Sequence, residues 1–220
     1  MAFDPFGTVR QALWIGGAQW AGKSTVADLL AHRHGITAYH YDFHDARGHW
    51  DRRAADAARR GEPYADFDPE SCWVDTTPAR MAEDAQRIFR TRFDYTLDDL
   101  RALVSPRPIL AEGYGLRPEL VAPLLDSPRR MVVLVPSAGF VEHQVATLDR
   151  ARGVSTKVSD PVRAQRNRLD RDRILAADAV ESARRHGIRV VTVDGSRDAE
   201  AVGDLVADHF ADYLPAAAVR

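Results

Sequence analysis

Two residue types are nearly missing from this chain. Of its 30 basic side chains only Lys23 and Lys157 are lysine; the other 28 are arginine. Against them stand 32 acidic residues, for a net charge of −2. That balance speaks against a non-specific nucleic-acid binder, whose surface would be basic. Cys72 stands alone, which excludes an internal disulfide and a cysteine-rich zinc site. Nothing approaches the roughly 18 consecutive apolar residues of a membrane span. The opening MAFDPFGTVRQ has no basic segment followed by an apolar run, as a secretory signal would. A cytoplasmic protein is therefore expected. The remainder is ordinary for a globular chain, at 45% hydrophobic and 28% charged, and 220 residues suit one domain over 1–220 with room for an inserted lobe. A GC-rich coding bias accounts for rare lysine. A lysine that remains is a candidate for work a planar guanidinium does badly.

Apolar runs bounded by Gly or Pro predict five buried strands, at 12–16, 37–41, 109–112, 131–135 and 189–193. Helical patterns flank most of them. One helix begins at Lys23 and ends before Gly35. Another begins after Asp160, with Pro161 at its first position, and stops near Gly187; Asp caps free N–H groups, Pro needs no partner there, and Gly suits the C-terminal turn. Strands alternating with helices imply a parallel sheet covered on both faces. The segment 43–108 breaks the rhythm, being far longer than a compact crossover. Met81, Ala85, Ile88, Phe89 and Phe93 share one helical face in it, after a Thr77-Pro78 start. It reads as a helical insertion at the carboxyl ends of the strands, where such sheets bind ligands, and so as a substrate lobe; plain packing is the competing reading.

Between the first strand and first helix lies Gly17-Ala18-Gln19-Trp20-Ala21-Gly22-Lys23-Ser24, followed by Thr25. This fits G-x4-G-K-[ST], with an apolar strand before it and an amphipathic helix (Val26, Leu29, Leu30) after it. Glycines let successive N–H groups face a phosphate, and the helix N-terminus adds its dipole. Lys23 is placed to reach the β and γ phosphates, and the Ser24 hydroxyl to ligate Mg²⁺.

On this motif and its context the chain resembles the P-loop kinases: the nucleoside and nucleotide kinases, shikimate kinase and chloramphenicol phosphotransferase. The resemblance implies a three-layer α/β fold with a five-stranded parallel sheet in the order 2-3-1-4-5, and use of ATP with Mg²⁺. One departure is Trp20, where these kinases usually carry a small residue; a side chain that large is expected to point outward, over nucleotide or acceptor. In such kinases a carboxylate just after strand two faces the acceptor hydroxyl, and Asp42 matches that place, with Asp45 second. An Asp there would orient the hydroxyl and take its proton; capping of the next segment is the alternative role. Strand three ends in Glu112-Gly113, similar to a Walker B element, which makes Glu112 the second metal candidate. A lid over 150–163 is implied too, with Arg152, Lys157 and Arg163 as phosphate-facing candidates and Arg166 and Arg171 further along the helix. The loop after strand five, Asp194 to Arg197, would border the adenine.

Two other patterns carry less. Asn167-Arg168-Leu169-Asp170 looks like a guanine-reading motif but has Arg for Lys and lies inside a predicted helix, so chance accounts for it. Five of the eight histidines fall between His32 and His49, without the spacing of a helical metal pair. The expectation is an ATP- and Mg²⁺-dependent kinase acting on the hydroxyl of a small molecule (a nucleoside, a sugar-like metabolite or an antibiotic), working as monomer or homodimer without nucleic acid or membrane. The alternatives are a nucleoside monophosphate kinase, with Arg52, Arg53, Arg59 or Arg60 taking the extra phosphate, and a nucleotide-dependent regulatory ATPase that phosphorylates nothing.

Overall fold

The computed structural model describes residues 4–64, 68–148 and 157–217. In chain order these form α1 (Thr8–Gln11), β1 (Leu13–Gly17), α2 (Lys23–His34), β2 (Thr37–His40), α3 (Tyr41–Asp45), α4 (Gly48–Arg59), a π-helical turn at Ser71–Asp75, α5 (Pro78–Ala102), β3 (Ile109–Glu112), α6 (Pro118–Val121), β4 (Met131–Pro136), α7 (Ala138–Thr147), α8 (Pro161–Arg185), β5 (Arg189–Val193) and α9 (Ala199–His209), with short 3-10 turns before β4. All five predicted strands form, within a residue or so. β2 stops at His40, before the expected Tyr41, because Tyr41 already belongs to the helical turn α3.

The strands make one sheet in the order β2-β3-β1-β4-β5, and every pairing is parallel. This is the order the resemblance implied. Alternation along each strand builds two cores. Trp14, Ile109, Ala111, Met131 and Val133 face one side, with Phe93 and Leu97 of α5 and Ala179 and Ala183 of α8. Leu13, Ile15, Leu110, Val132 and Leu134 face the other, with Val26 and Leu30 of α2 and Val206 of α9. Helices therefore cover both faces in three layers.

Local signals set the long helices. The Thr77 side chain accepts from the Arg80 amide at 3.3 Å and Pro78 opens α5. Asp160 accepts from the Arg163 amide at 2.9 Å and Pro161 opens α8. In α5 the buried Met81, Phe89, Phe93, Leu97 and Leu100 follow a spacing of four or its double until the last step, and α5 packs along α8. Register then decides the site. β3 runs beside β1 with Ile15 opposite Glu112, and beside β2 with His40 opposite Glu112. The carboxyl ends of β1, β2 and β3 thus converge, and the helices α3–α5 follow β2 at that same end.

Candidate active site

The loop after β1 is held open from below. The Ala18 amide donates to the Leu134 carbonyl at 2.9 Å, pinning the loop to β4. Gly22 is the N-cap of α2, in left-handed conformation at φ 71°, and no side chain caps the helix. The free N–H groups of the first turn are left for a ligand, next to the positive end of the dipole. Lys23 is buried and its Nζ donates to the Ala18 carbonyl at 2.7 Å. Burial lowers its pKa, opposed by the carboxylates of Asp42, Glu112 and Asp172.

Trp20 corrects an expectation. It does not point outward: the side chain is buried, its Nε1 donates to Asp172 Oδ2 at 3.2 Å, and the Arg168 guanidinium lies 5.1 Å from its ring centroid. At φ 70° it has the one positive φ of a non-glycine among the described residues, a conformation that costs roughly 1–2 kcal/mol. Burial of the indole and its bond to Asp172 offset that cost. Asp172, itself buried, also accepts from Arg171 Nε at 3.0 Å and Nη2 at 2.6 Å. Arg171 lies 4.9 Å over the ring of Trp73 in the π turn.

Around the first turn of α2 the carboxylates assemble. Ser24 Oγ donates to Glu112 Oε1 at 3.0 Å, and His40 Nδ1 lies 2.8 Å from the same oxygen. His40 Nε2 reaches Asp28 at 3.1 Å. Glu112 is fully buried and its Oε2 has no hydrogen-bond partner. An orphaned anionic oxygen beside a serine hydroxyl fits Mg²⁺, which takes hard oxygen ligands and retains waters. Asp42 stands in the first turn of α3, with the Tyr114 amide donating to its Oδ1 at 3.4 Å. Asp42 is exposed at the mouth of the site, with protein crowded around its base, and this crowding is its only burial. That burial pushes its carboxyl up, against the pull of Lys23; Glu112 pushes in the same direction as burial.

Two cavities meet here. The smaller, about 280 Å³, is lined by Gln19, Trp20, Gly22, Lys23, Ser24, Thr25, Asp42 and Arg168. Gly17, Ala18 and Ala21 are buried behind it and shape the loop. The larger, about 770 Å³, is an open cavity lined by residues of α3, α4, the π turn, α5 and α8 together with Gln19 and Tyr114. Gln19 and Asp42 line both.

The remaining candidates fall as follows. Arg152 lies outside the described residues, as does the first half of the expected lid 150–163. Lys157 and Arg163 are exposed and line neither cavity. Arg171 lines the larger cavity, and Arg168, passed over in the sequence, lines the smaller with its Nη1 buried and unpartnered. Arg52 pairs with Asp99, Arg53 with Asp45, Arg59 with Asp56 and Arg60 with Glu62. Among the described residues no cluster of three or more His, Cys, Asp or Glu is arranged to hold a metal, and no helix is long and apolar enough to cross a membrane. The signal for Arg168 was its row: Ala164, Asn167, Asp172 and Leu175 are the buried residues of this part of α8, so polar side chains sit on the inward stripe.

No family model and no curated protein matches the sequence. Among solved structures the chain is similar to a gluconokinase from Sinorhizobium meliloti 1021, at 14% identity and TM-score 0.45 over 91% of each chain. It is also similar to a sugar kinase from Janibacter sp. HTCC2649, at 12% identity and TM-score 0.41 over 96% of this chain and 99% of that one.

Proposed function

We propose that the protein is an ATP- and Mg²⁺-dependent kinase that phosphorylates a hydroxyl of a small molecule. One observation carries this reading: a raised carboxyl, Asp42, forms the shared wall between a phosphate-sized recess and a larger cavity. A nucleotide switch has no use for that second cavity beside its phosphates.

Each residue then has a task. The amides at the start of α2, Lys23 and Arg168 hold the donor's phosphates. Ser24 Oγ and Glu112 Oε2 would hold Mg²⁺, which supplies charge neutralisation between phosphate oxygens. Asp42 accepts a hydrogen bond from the acceptor hydroxyl and takes its proton as that oxygen bonds to phosphorus and the bond to the leaving oxygen breaks. The raised carboxyl favours proton capture, and the charge of Lys23 pulls the other way. Tyr114, its phenol pushed up to about 12 by burial, stays neutral and serves as wall. Arg52, Arg53, Arg59 and Arg60 are each engaged by an acid, which favours a hydroxyl acceptor over a phosphate.

The test is transfer of label from γ-³²P-ATP into a library of alcohols, nucleosides and sugars, with Lys23→Ala and Lys23→Arg as comparisons. Both variants should lose at least a hundredfold in transfer, since a guanidinium does not fit the buried ammonium's place. Unchanged transfer in Lys23→Ala would refute the phosphate site.

A further inference from the structure

The larger cavity says what kind of molecule it takes; this step rests on the kinase reading above. Its walls are Trp50, Trp73, Met81, Ile88, Phe89 and Tyr114. Phe89 and Tyr114 meet edge to face with centroids 4.6 Å apart, and both line the space. At about 770 Å³ it lies within the range of drug-sized ligand sites, which are mostly apolar with a few placed polar groups.

The charges in that lining are already spent on each other. Arg92 Nη1 is 2.6 Å from Asp45 Oδ2, and both line the cavity. Arg171 is gripped through two nitrogens by Asp172. Asp84, at the rim, is 2.6 Å from Arg87 and 3.3 Å from Arg80. Asp42 alone lacks an ion pair within bonding distance, and its task is the hydroxyl. A carboxylate or phosphate on the acceptor would have to break one of these pairs to find a cation, leaving a half-buried charge uncompensated. A bare polyol would find uncharged partners in Gln19, Ser71 and Thr76, yet most of its hydroxyls would face the apolar part of the lining, which predominates. Cys72 adds no charge, because burial, with Asp68 and Asp84, pushes its thiol up.

We infer that the acceptor is an uncharged alcohol with an apolar, ring-bearing body, seated between Trp50 and Trp73 on one side and Phe89 and Tyr114 on the other, its hydroxyl end at Asp42. Sugar acids and nucleoside monophosphates are excluded as good acceptors.

The experiment separates binding from transfer. Trp50 and Trp73 line the cavity, so intrinsic tryptophan fluorescence reports occupancy. Four probes are titrated into the protein with ATP and Mg²⁺ present: 2-naphthylethanol, thymidine, thymidine monophosphate and gluconate. The same four are then assayed as acceptors of γ-³²P. Expected is saturable binding of 2-naphthylethanol, binding of thymidine at least tenfold tighter than of its monophosphate, and none of gluconate. Ala85→Trp, which fills the cavity from α5, should weaken 2-naphthylethanol at least tenfold; thermal melting confirms that the variant is folded. Tighter binding of gluconate or the monophosphate, no saturable response to either neutral probe, or indifference to Ala85→Trp in a folded protein each overturns the inference. Neutral probes that bind as expected while label reaches no acceptor would uphold the pocket and overturn the kinase reading instead. Label passing to gluconate or the monophosphate in preference would do the reverse.

Discussion

Replacing Asp172 by asparagine tests how the phosphate loop is held. The carboxylate accepts from Trp20 Nε1 and from two nitrogens of Arg171, with its side chain 6% exposed and that of Arg171 13%. Removing one member of a fully buried pair costs about 3–5 kcal/mol. Asp172→Asn should cost less, because the amide oxygen still serves the indole and Arg171 keeps some water and the face of Trp73. We expect about 2–3 kcal/mol, which lowers the midpoint of thermal unfolding by roughly 5–10 °C in a chain of this size. A cycle with Arg171→Met isolates the pair. With no guanidinium left to compensate, the second substitution should recover about 1–2 kcal/mol relative to the sum of the single effects. Calorimetry of the four proteins measures it. A shift under about 2 °C in Asp172→Asn, or additive single effects, would refute the argument and reduce the pair to an ordinary surface contact.

Three further outcomes follow from the site. Asp42→Asn should leave nucleotide affinity within a few-fold and lower turnover by about 10²–10⁴. The wild-type acid limb should lie above the ordinary carboxylate range and vanish in the variant, since a raised carboxyl gains its proton as pH falls through that higher value. The same shift has a sign for stability: folding favours the protonated form, so the penalty is absent below the unfolded carboxyl pKa and complete above the raised one. Asp42→Asn should therefore melt higher than wild type near pH 8 and equally at pH 3. Arg168→Gln should weaken ATP several-fold with a smaller effect on ADP, measured by calorimetric titration, if its unpartnered nitrogen meets the terminal phosphate; equal loss for both would place it elsewhere. At Gly115 an added Cβ would stand 2.3 Å from Tyr41 Cε1 and 2.6 Å from its hydroxyl. Gly115→Ala should displace the ring and cut turnover more than nucleotide affinity, through the adjoining Asp42; unchanged turnover would show that Tyr41 can move alone.

Much of this architecture was legible because it is written locally. The loop 17–24 announces itself by spacing, and β1 and β3 by apolar runs ending in glycine or acid. The starts of α5 and α8 show in Thr77-Pro78 and Asp160-Pro161. The parts that escaped are pairings across the chain. Trp20 meets Asp172 from 152 positions away, and no local pattern announces such a bond. A bulky residue in a loop of small ones suggested an outward side chain, whereas one buried carboxylate on α8 turns it in. Arg168 was hidden by company, as one arginine on a helix that also carries Arg163, Arg166, Arg171 and Arg173. Only the burial of its neighbours Asn167 and Asp172 distinguishes it. The larger cavity draws on α3, α4, the π turn, α5 and the turn after β3, so its shape depends on packing that sequence periodicity leaves open.

The path from Trp20 through Asp172 and Arg171 to Trp73 joins the two cavities by direct contact: one end lines the smaller, the other the larger. Under the proposed function, a shift of Trp73 on acceptor binding that travelled along this path would reach the indole at the phosphate recess, and equilibrium would require the effect to run both ways. If acceptor binding tightens ATP by some factor, ATP tightens the acceptor by the same factor. A kinase coupled this way would hold ATP more tightly with its acceptor cavity filled than with it empty, which makes the order of addition irrelevant to the final complex.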